Sequence, residues 1–138
     1  MKARRSKTVI LVAVAALLAA AVAAPANASD YERQTSNENG VRVDVVPREV
    51  EKGKTARFEI RLNTHSVALS QDLKTVSVLE TDSGSVLRPE QWEGSGPGGH
   101  HRRGVLYFSA LPSDTGEVTL TIKDIAGVPE RTFRWKVE

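Results

Sequence analysis

The sequence predicts an all-β fold built as an antiparallel sandwich of about seven strands over residues 41–138. Apolar and polar residues alternate with a period of two in several short runs, and no segment shows the helical period of 3.6. Clusters of Gly, Pro, Asn, Asp and Ser separate these runs, as turns do. This number of strands in about a hundred residues is typical of an immunoglobulin-like sandwich. A small closed barrel is the alternative that strand number alone leaves open.

The first two strands have the clearest alternation. Residues 41–46 place valine at every second position until Pro47 ends the run. After a turn at residues 51–54, residues 56–62 alternate apolar with charged side chains, which predicts one buried and one solvated face. Residues 63–73 lose this periodicity and are predicted to form a long crossing loop.

Five further strands are predicted in the second half, separated by turns that contain glycine or proline. They are residues 75–80, 86–92, 105–108, 118–123 and 133–137. Pro89 suggests that the second of these lies at a sheet edge or bulge. Residues 93–104 include five glycines and a proline, which predicts a loop. The apolar faces of these strands predict a core that contains Val43, Phe58, Ile60, Leu62, Val76, Val78, Leu106, Phe108, Leu120, Ile122, Phe133 and Trp135.

The N-terminal 28 residues have the layout of a secretory signal peptide. Four basic residues within the first seven precede an apolar run at residues 9–24, and Pro25 and small residues lead to a cleavage site after Ala28. The alternative is an uncleaved membrane anchor. We therefore expect a secreted or periplasmic protein with no membrane span after cleavage. Residues 29–40 are predicted to be a flexible lead-in, and residues 41–138 to be a single domain.

Composition excludes several classes of function. Four of the 19 Lys and Arg lie in the signal peptide, so the mature chain has 15 basic and 17 acidic residues and a formal charge of −2. With this charge, no nucleic-acid partner is expected. The chain has no cysteine and its one methionine is Met1, which leaves no thiol or thioether ligand after cleavage. A Gly-x-Ser-x-Gly elbow, a phosphate-binding loop and a dinucleotide fingerprint are all absent from the sequence, so we expect no enzyme.

All three histidines lie near predicted strand ends: His65 follows one strand, and His100 and His101 precede another. Antiparallel neighbours place such ends at the same edge of a sheet. Together with Asp72, they could form a metal site, for which imidazole and carboxylate ligands favour Zn²⁺ or Cu²⁺.

Two other interpretations of the same segments stay open. Arg102 and Arg103 follow the histidines on a glycine-rich loop, and with Asn63 they could bind a polyanion or an acidic partner protein. The same side chains could also be solvated loop residues, because Asn63 and Asp72 are common turn formers.

Three segments carry a resemblance to known proteins: N-T-H-S-V with a following D-L at 63–73, G-G-H-H-R-x-G-x-L-x-F at 98–108, and E-R-x-F-x-W at 130–135. In these segments the chain resembles a group of small exported prokaryotic immunoglobulin-like domains of unassigned function. It is also similar, more generically, to immunoprotective extracellular-type immunoglobulin-like proteins. The resemblance implies the sandwich fold and draws attention to the histidine segments, and it implies no reaction.

Overall fold

The structure, a computed structural model, describes residues 31–138, so the predicted signal peptide lies outside the described residues. This part of the chain forms nine strands and one short helix. In chain order they are β1 (Gln34–Glu38), β2 (Val41–Glu49), β3 (Thr55–Thr64), α1 (Leu73–Val76), β4 (Ser77–Thr81), β5 (Val86–Leu87), β6 (Gln91–Gly94), β7 (His101–Ala110), β8 (Glu117–Ile125) and β9 (Val128–Lys136). Within residues 31–138, no helix is long and apolar enough to span a bilayer.

The strands form two antiparallel sheets, which confirms the predicted all-β sandwich. The front sheet has the order β1-β2-β3-β7-β6, and the back sheet has the order β5-β4-β8-β9. In the immunoglobulin arrangement one sheet holds strands A, B, E and D and the other holds C, F and G. Strands β2-β3-β7-β6 and β4-β8-β9 correspond to these two sets, with β1 and β5 added at one edge of each sheet. No strand ladder joins the sheets within residues 31–138, so the structure is not a closed barrel.

The core lies between the sheets and contains the predicted residues except Val76 and Val78. Val78 is buried, but it lies outside the core cluster, on the opposite face of β4 from Leu79. Phe58 and Phe108 pack edge to face with ring centroids 5.8 Å apart, and Phe58 also contacts Trp135 at 5.4 Å. Val76, predicted as a core strand residue, ends helix α1 and is only partly buried. The other predicted core side chains are all buried.

Strand β1 corrects the prediction of a flexible lead-in over residues 29–40. Residues 34–38 pair with β2 in continuous register. The connecting turn is Asn39-Gly40, whose φ angles of 49° and 74° are the left-handed conformation that an Asn-Gly hairpin adopts. β1 has no apolar alternation because it is a polar edge strand, and this explains why periodicity missed it.

Two further segments differ from the prediction. Residues 86–92 do not form one strand: β5 lies in the back sheet and β6 in the front sheet, and Pro89 lies in the crossing between them. The predicted loop over residues 93–104 is shorter than expected, because β6 extends to Gly94 and β7 begins at His101. The second histidine and both arginines of that segment are therefore strand residues.

A buried arginine ties the β1–β2 hairpin to the back sheet. The Arg131 side chain on β9 is 2% exposed and donates to the carbonyl oxygens of Val41 at 3.1 Å, Glu38 at 3.0 Å and Ile125 at 3.4 Å. Burial lowers the pKa of Arg131. Carbonyl dipoles, rather than a direct ion pair with a carboxylate, balance its charge. Because Arg131 belongs to the back sheet and Val41 and Glu38 to the front sheet, these hydrogen bonds hold the two sheets together at one end of the sandwich.

We expect Phe58→Ala to lower the free energy of unfolding by about 3–5 kcal/mol, because it leaves a cavity among aromatic neighbours. Urea unfolding followed by Trp fluorescence measures the change. Val86→Ala is the control, since Val86 is 58% exposed and its truncation should change stability by less than about 0.5 kcal/mol. A cost below about 1 kcal/mol at Phe58 would contradict the packing described here.

Candidate functional site

The β3–β7 ladder determines which polar side chains meet on the outer face of the front sheet. Arg61 lies opposite Arg103, and Asn63 lies opposite His101. Successive side chains of a strand point to opposite faces. Because Arg102 points into the sandwich, His101 and Arg103 both point outward.

Arg102 does not have the role that the sequence suggested for it. The side chain was predicted to contact a polyanion at a loop tip, but the residue is only 3% exposed. Its guanidinium donates to the carbonyl oxygens of Leu69 at 3.2 Å and Gln71 at 2.5 Å, and lies 5.8 Å from the ring centroid of Trp92. Burial lowers the pKa of Arg102. The side chain holds the segment after β3 against the sheet.

Two glycines allow Trp92 to reach this position. A Cβ on Gly104 would lie 2.6 Å from the Trp92 ring, and a Cβ on Gly94 would lie 2.5 Å from the Cα of Gly104. Because neither glycine has a Cβ, β6 and β7 approach closely, and the Trp92 ring can lie over Gly104 of β7. The indole nitrogen then donates to the Ser95 carbonyl oxygen at 2.9 Å, which fixes the ring beside Arg102.

One carboxylate holds three arginines on this outer face. Glu59, which is 4% exposed, accepts a hydrogen bond on Oε1 from Arg61 Nε at 2.6 Å. Arg103 Nε forms an ion pair with the same oxygen at 3.1 Å, and Arg48 contacts Oε2. Burial alone would raise the pKa of Glu59, but hydrogen bonds from Arg48 and Arg61 and their positive charges outweigh it and lower the pKa to about 2. Glu59 therefore stays ionised in contact with these arginines.

Arg61 and Arg103 contact Glu59 through Nε alone. Within residues 31–138, neither side chain makes another hydrogen bond or ion pair, so the terminal nitrogens of both guanidinium groups have no protein partner. The Arg103 side chain is 64% exposed and that of Arg61 is 32% exposed. The carboxylate therefore orients Arg61 by a hydrogen bond and holds Arg103 nearby by charge, while the terminal nitrogens of both remain available to a ligand.

These side chains border a depression that we call the arginine cleft. It has a volume of about 270 Å³ and is lined by Arg61, Asn63, Ser95, His101, Arg102 and Arg103. Across it, His101 Nδ1 lies 2.9 Å from Asn63 Oδ1. Because that oxygen can only accept, Nδ1 carries the hydrogen, and Nε2 is the ring nitrogen left for other contacts.

A second depression, the hairpin cleft, lies on the other side of Asn63. Its volume is about 350 Å³, and its lining comprises Asn37, Gly40, Arg42, Asn63, Thr64 and His65. Arg42 Nε donates to both oxygens of Asp44, at 3.1 and 3.0 Å. Burial would raise the pKa of Asp44, but hydrogen bonds from Arg42 and Thr35 lower it, so Asp44 also stays ionised.

The structure brings together some of the predicted site residues and separates others. His65, Asn63, His101 and Arg103 all lie at one end of the front sheet, at the end of β3 and the beginning of β7. His100 lies beside them, and its carbonyl oxygen accepts from the Thr64 amide at 3.0 Å.

Asp72, the carboxylate of the predicted metal site, has a structural role instead. It caps helix α1 and accepts from Lys74 N and Thr75 Oγ1, both at 3.0 Å. Within residues 31–138 there is no group of three or more His, Cys, Asp or Glu side chains arranged to hold a metal ion. The predicted imidazole and carboxylate set for Zn²⁺ or Cu²⁺ is therefore not assembled.

Sequence reasoning missed Arg42, Glu59 and Arg61, which belong to the solvated faces of two well-predicted strands. Alternation showed that these side chains point outward, but the identity of their neighbours depends on strand order. The signal that could have found them is the repeated basic and acidic alternation along β3, in which Glu59 is flanked two residues away on each side by Arg57 and Arg61.

No protein-family model matches this chain, and no curated protein or solved structure matches it significantly. The family resemblance suggested by the histidine-containing segments stays a prediction.

The ionised Glu59 should stabilise the fold in a pH-dependent way. A carboxyl whose pKa falls from 4.5 to about 2 on folding contributes up to about 3 kcal/mol, present above pH 4.5 and lost as the pH falls towards 2. Glu59→Gln should therefore cost up to about 3 kcal/mol at pH 7 and much less at pH 2.5.

Urea unfolding of the natural sequence and of Glu59→Gln at pH 7 and pH 2.5 measures the loss of stability at each pH. Glu80→Gln, at an exposed position on β4, is the control and should be close to neutral at both values. An equal cost for Glu59→Gln at pH 7 and pH 2.5 would show that its charge does not stabilise the fold.

Proposed function

We propose that this chain is an exported, non-catalytic binding domain that holds oxyanion groups in the arginine cleft. The observation that carries the proposal is the side-on contact of Arg61 and Arg103 with one oxygen of Glu59. The Arg61 contact is a hydrogen bond and the Arg103 contact is an ion pair, and both leave the terminal nitrogens without a partner within residues 31–138.

The chemistry of the cleft suits sulfate, phosphate or carboxylate groups. Guanidinium is planar and binds such oxyanions through paired hydrogen bonds, which are stronger than those between neutral groups. The buried Glu59 reduces the freedom that both arginines would lose on binding, and preorganisation of this kind increases affinity. The Asn63 amide at the border of the cleft adds a neutral donor.

The geometry favours binding over catalysis. Glu59 is ionised down to about pH 2 and its two oxygens are occupied by arginines, so it is unsuited to deliver a proton at neutral pH. His101 Nδ1 faces an amide oxygen rather than a nucleophile or a carboxylate, which differs from the pairing that activates a catalytic base.

The proposed place of action is outside the cytoplasm, in the periplasm or the medium. The basis is the N-terminal pattern of basic residues, an apolar run and a small-residue cleavage site. In that setting the ligand is a surface or soluble molecule that displays anionic groups. A polyanion or a partner protein with an acidic surface both belong to this class.

Calorimetric titration of the mature protein with a sulfated disaccharide tests the proposal. We expect Arg103→Gln and Arg61→Gln each to weaken binding about tenfold, because each loses charge-assisted hydrogen bonds worth about 1.5 kcal/mol or more. Binding should also weaken as salt is added, since the ligand is held by charge. The unsulfated disaccharide should not bind measurably.

Arg134→Gln is the matched control, because it removes an exposed arginine from the outer face of the back sheet. It should bind as tightly as the natural sequence. Equal loss in the Arg134 and Arg103 variants would indicate a general charge effect. Unchanged binding in both cleft variants would exclude the arginine cleft as the site.

A further inference from the structure

We infer that the hairpin cleft is a second anion subsite, so that the ligand is a linear acidic polysaccharide that spans both clefts across Asn63. This inference rests on the proposed function of the arginine cleft. It adds a second site, a ligand length and a ligand class.

The two clefts are joined by a row of residues across the front sheet. Arg42 on β2 lies opposite Asn63 on β3, and Asn63 lies opposite His101 on β7. Neighbouring strands are about 4.8 Å apart, so the outer members of this row are separated by about 10 Å. That span is about the length of one disaccharide repeat, so it separates equivalent anionic groups on successive repeats of a sulfated or uronic-acid polysaccharide, and a single disaccharide does not fill both clefts.

Arg42 repeats the arrangement found in the arginine cleft. Its Nε contacts both oxygens of Asp44, and within residues 31–138 its terminal nitrogens have no partner. Its side chain is 51% exposed. His65 also lines this cleft, and no hydrogen bond of its side chain occurs in the described part of the chain. Both clefts therefore present an arginine that an acid anchors through Nε, next to a histidine.

The surroundings favour a polysaccharide over other polyanions. Single-stranded nucleic acid needs exposed rings for base stacking, whereas Trp92 lies beside Arg102 and the Tyr107 hydroxyl donates to Glu93 at 2.8 Å. A peptide would usually add an apolar anchor, but Val86, the exposed large apolar side chain of residues 31–138, lies in the back sheet. Asn37 and Asn63 provide amide groups for sugar hydroxyls.

The test compares a heparin-derived disaccharide with a heparin-derived dodecasaccharide by calorimetry. We expect the natural sequence to bind the longer chain at least about tenfold more tightly, because the second contact is made intramolecularly. Arg42→Gln should remove most of this gain while leaving disaccharide affinity unchanged. Arg134→Gln should change neither affinity, and Arg103→Gln should weaken both.

Thermal unfolding checks that each variant is folded. If Arg42→Gln does not fold, His65→Gln tests the same subsite and should lower dodecasaccharide affinity about threefold. Weakened binding in Arg103→Gln together with unchanged dodecasaccharide binding in Arg42→Gln and His65→Gln would overturn the second subsite and leave the proposed function intact. Absence of disaccharide and dodecasaccharide binding would overturn both.

Competitors test the ligand class. Poly-glutamate, single-stranded DNA and vesicles of anionic lipid, each at matched charge concentration, should displace the dodecasaccharide less well than unlabelled dodecasaccharide does. Stronger displacement by any of these three would overturn the assignment to an acidic polysaccharide.

Discussion

The inward position of Arg102 is the constraint on which the candidate site depends. In a strand, burying one side chain turns both neighbours outward. Burial of the Arg102 guanidinium against the carbonyl oxygens of Leu69 and Gln71 thus places His101 and Arg103 on the outer face. A slip of one residue in β7 would bury His101 and Arg103 and expose Arg102, so that Arg103 would lose its contact with Glu59. The same interaction closes the sandwich and orients the site.

Glu59 adds the second requirement, which is control of the arginine side chains. A buried carboxylate without partners would be strongly destabilising, and three guanidinium groups more than offset its loss of hydration. One carboxylate cannot neutralise both Arg61 and Arg103, which contact the same oxygen of Glu59. Under the proposed function, one cluster serves both stability and anion binding: the acid holds the arginines in place, and an external anion would balance their remaining charge.

The sequence was sufficient for the sandwich and for part of the site. Alternation located β2, β3, β8 and β9, and strand-end positions placed His65 and His101 at one end of the sheet. β1 was missed because a polar edge strand has no buried face, although its Asn-Gly turn was visible in the sequence. Arg102 donates to a carbonyl oxygen of Gln71, about thirty residues away in sequence. Asp72 caps a helix of only four residues, which is too short to show a helical period. Period-two patterns contain no information on such partners.

We propose that the outer face at the end of β3 and the beginning of β7 binds an oxyanion. Amide chemical shifts recorded while inorganic sulfate is titrated into the mature protein test it most directly. We expect saturable shifts concentrated at residues 61–65 and 101–104, with little change in the back sheet, and loss of these shifts in Arg61→Gln/Arg103→Gln. Shifts spread evenly over both sheets, or concentrated elsewhere, would contradict the account.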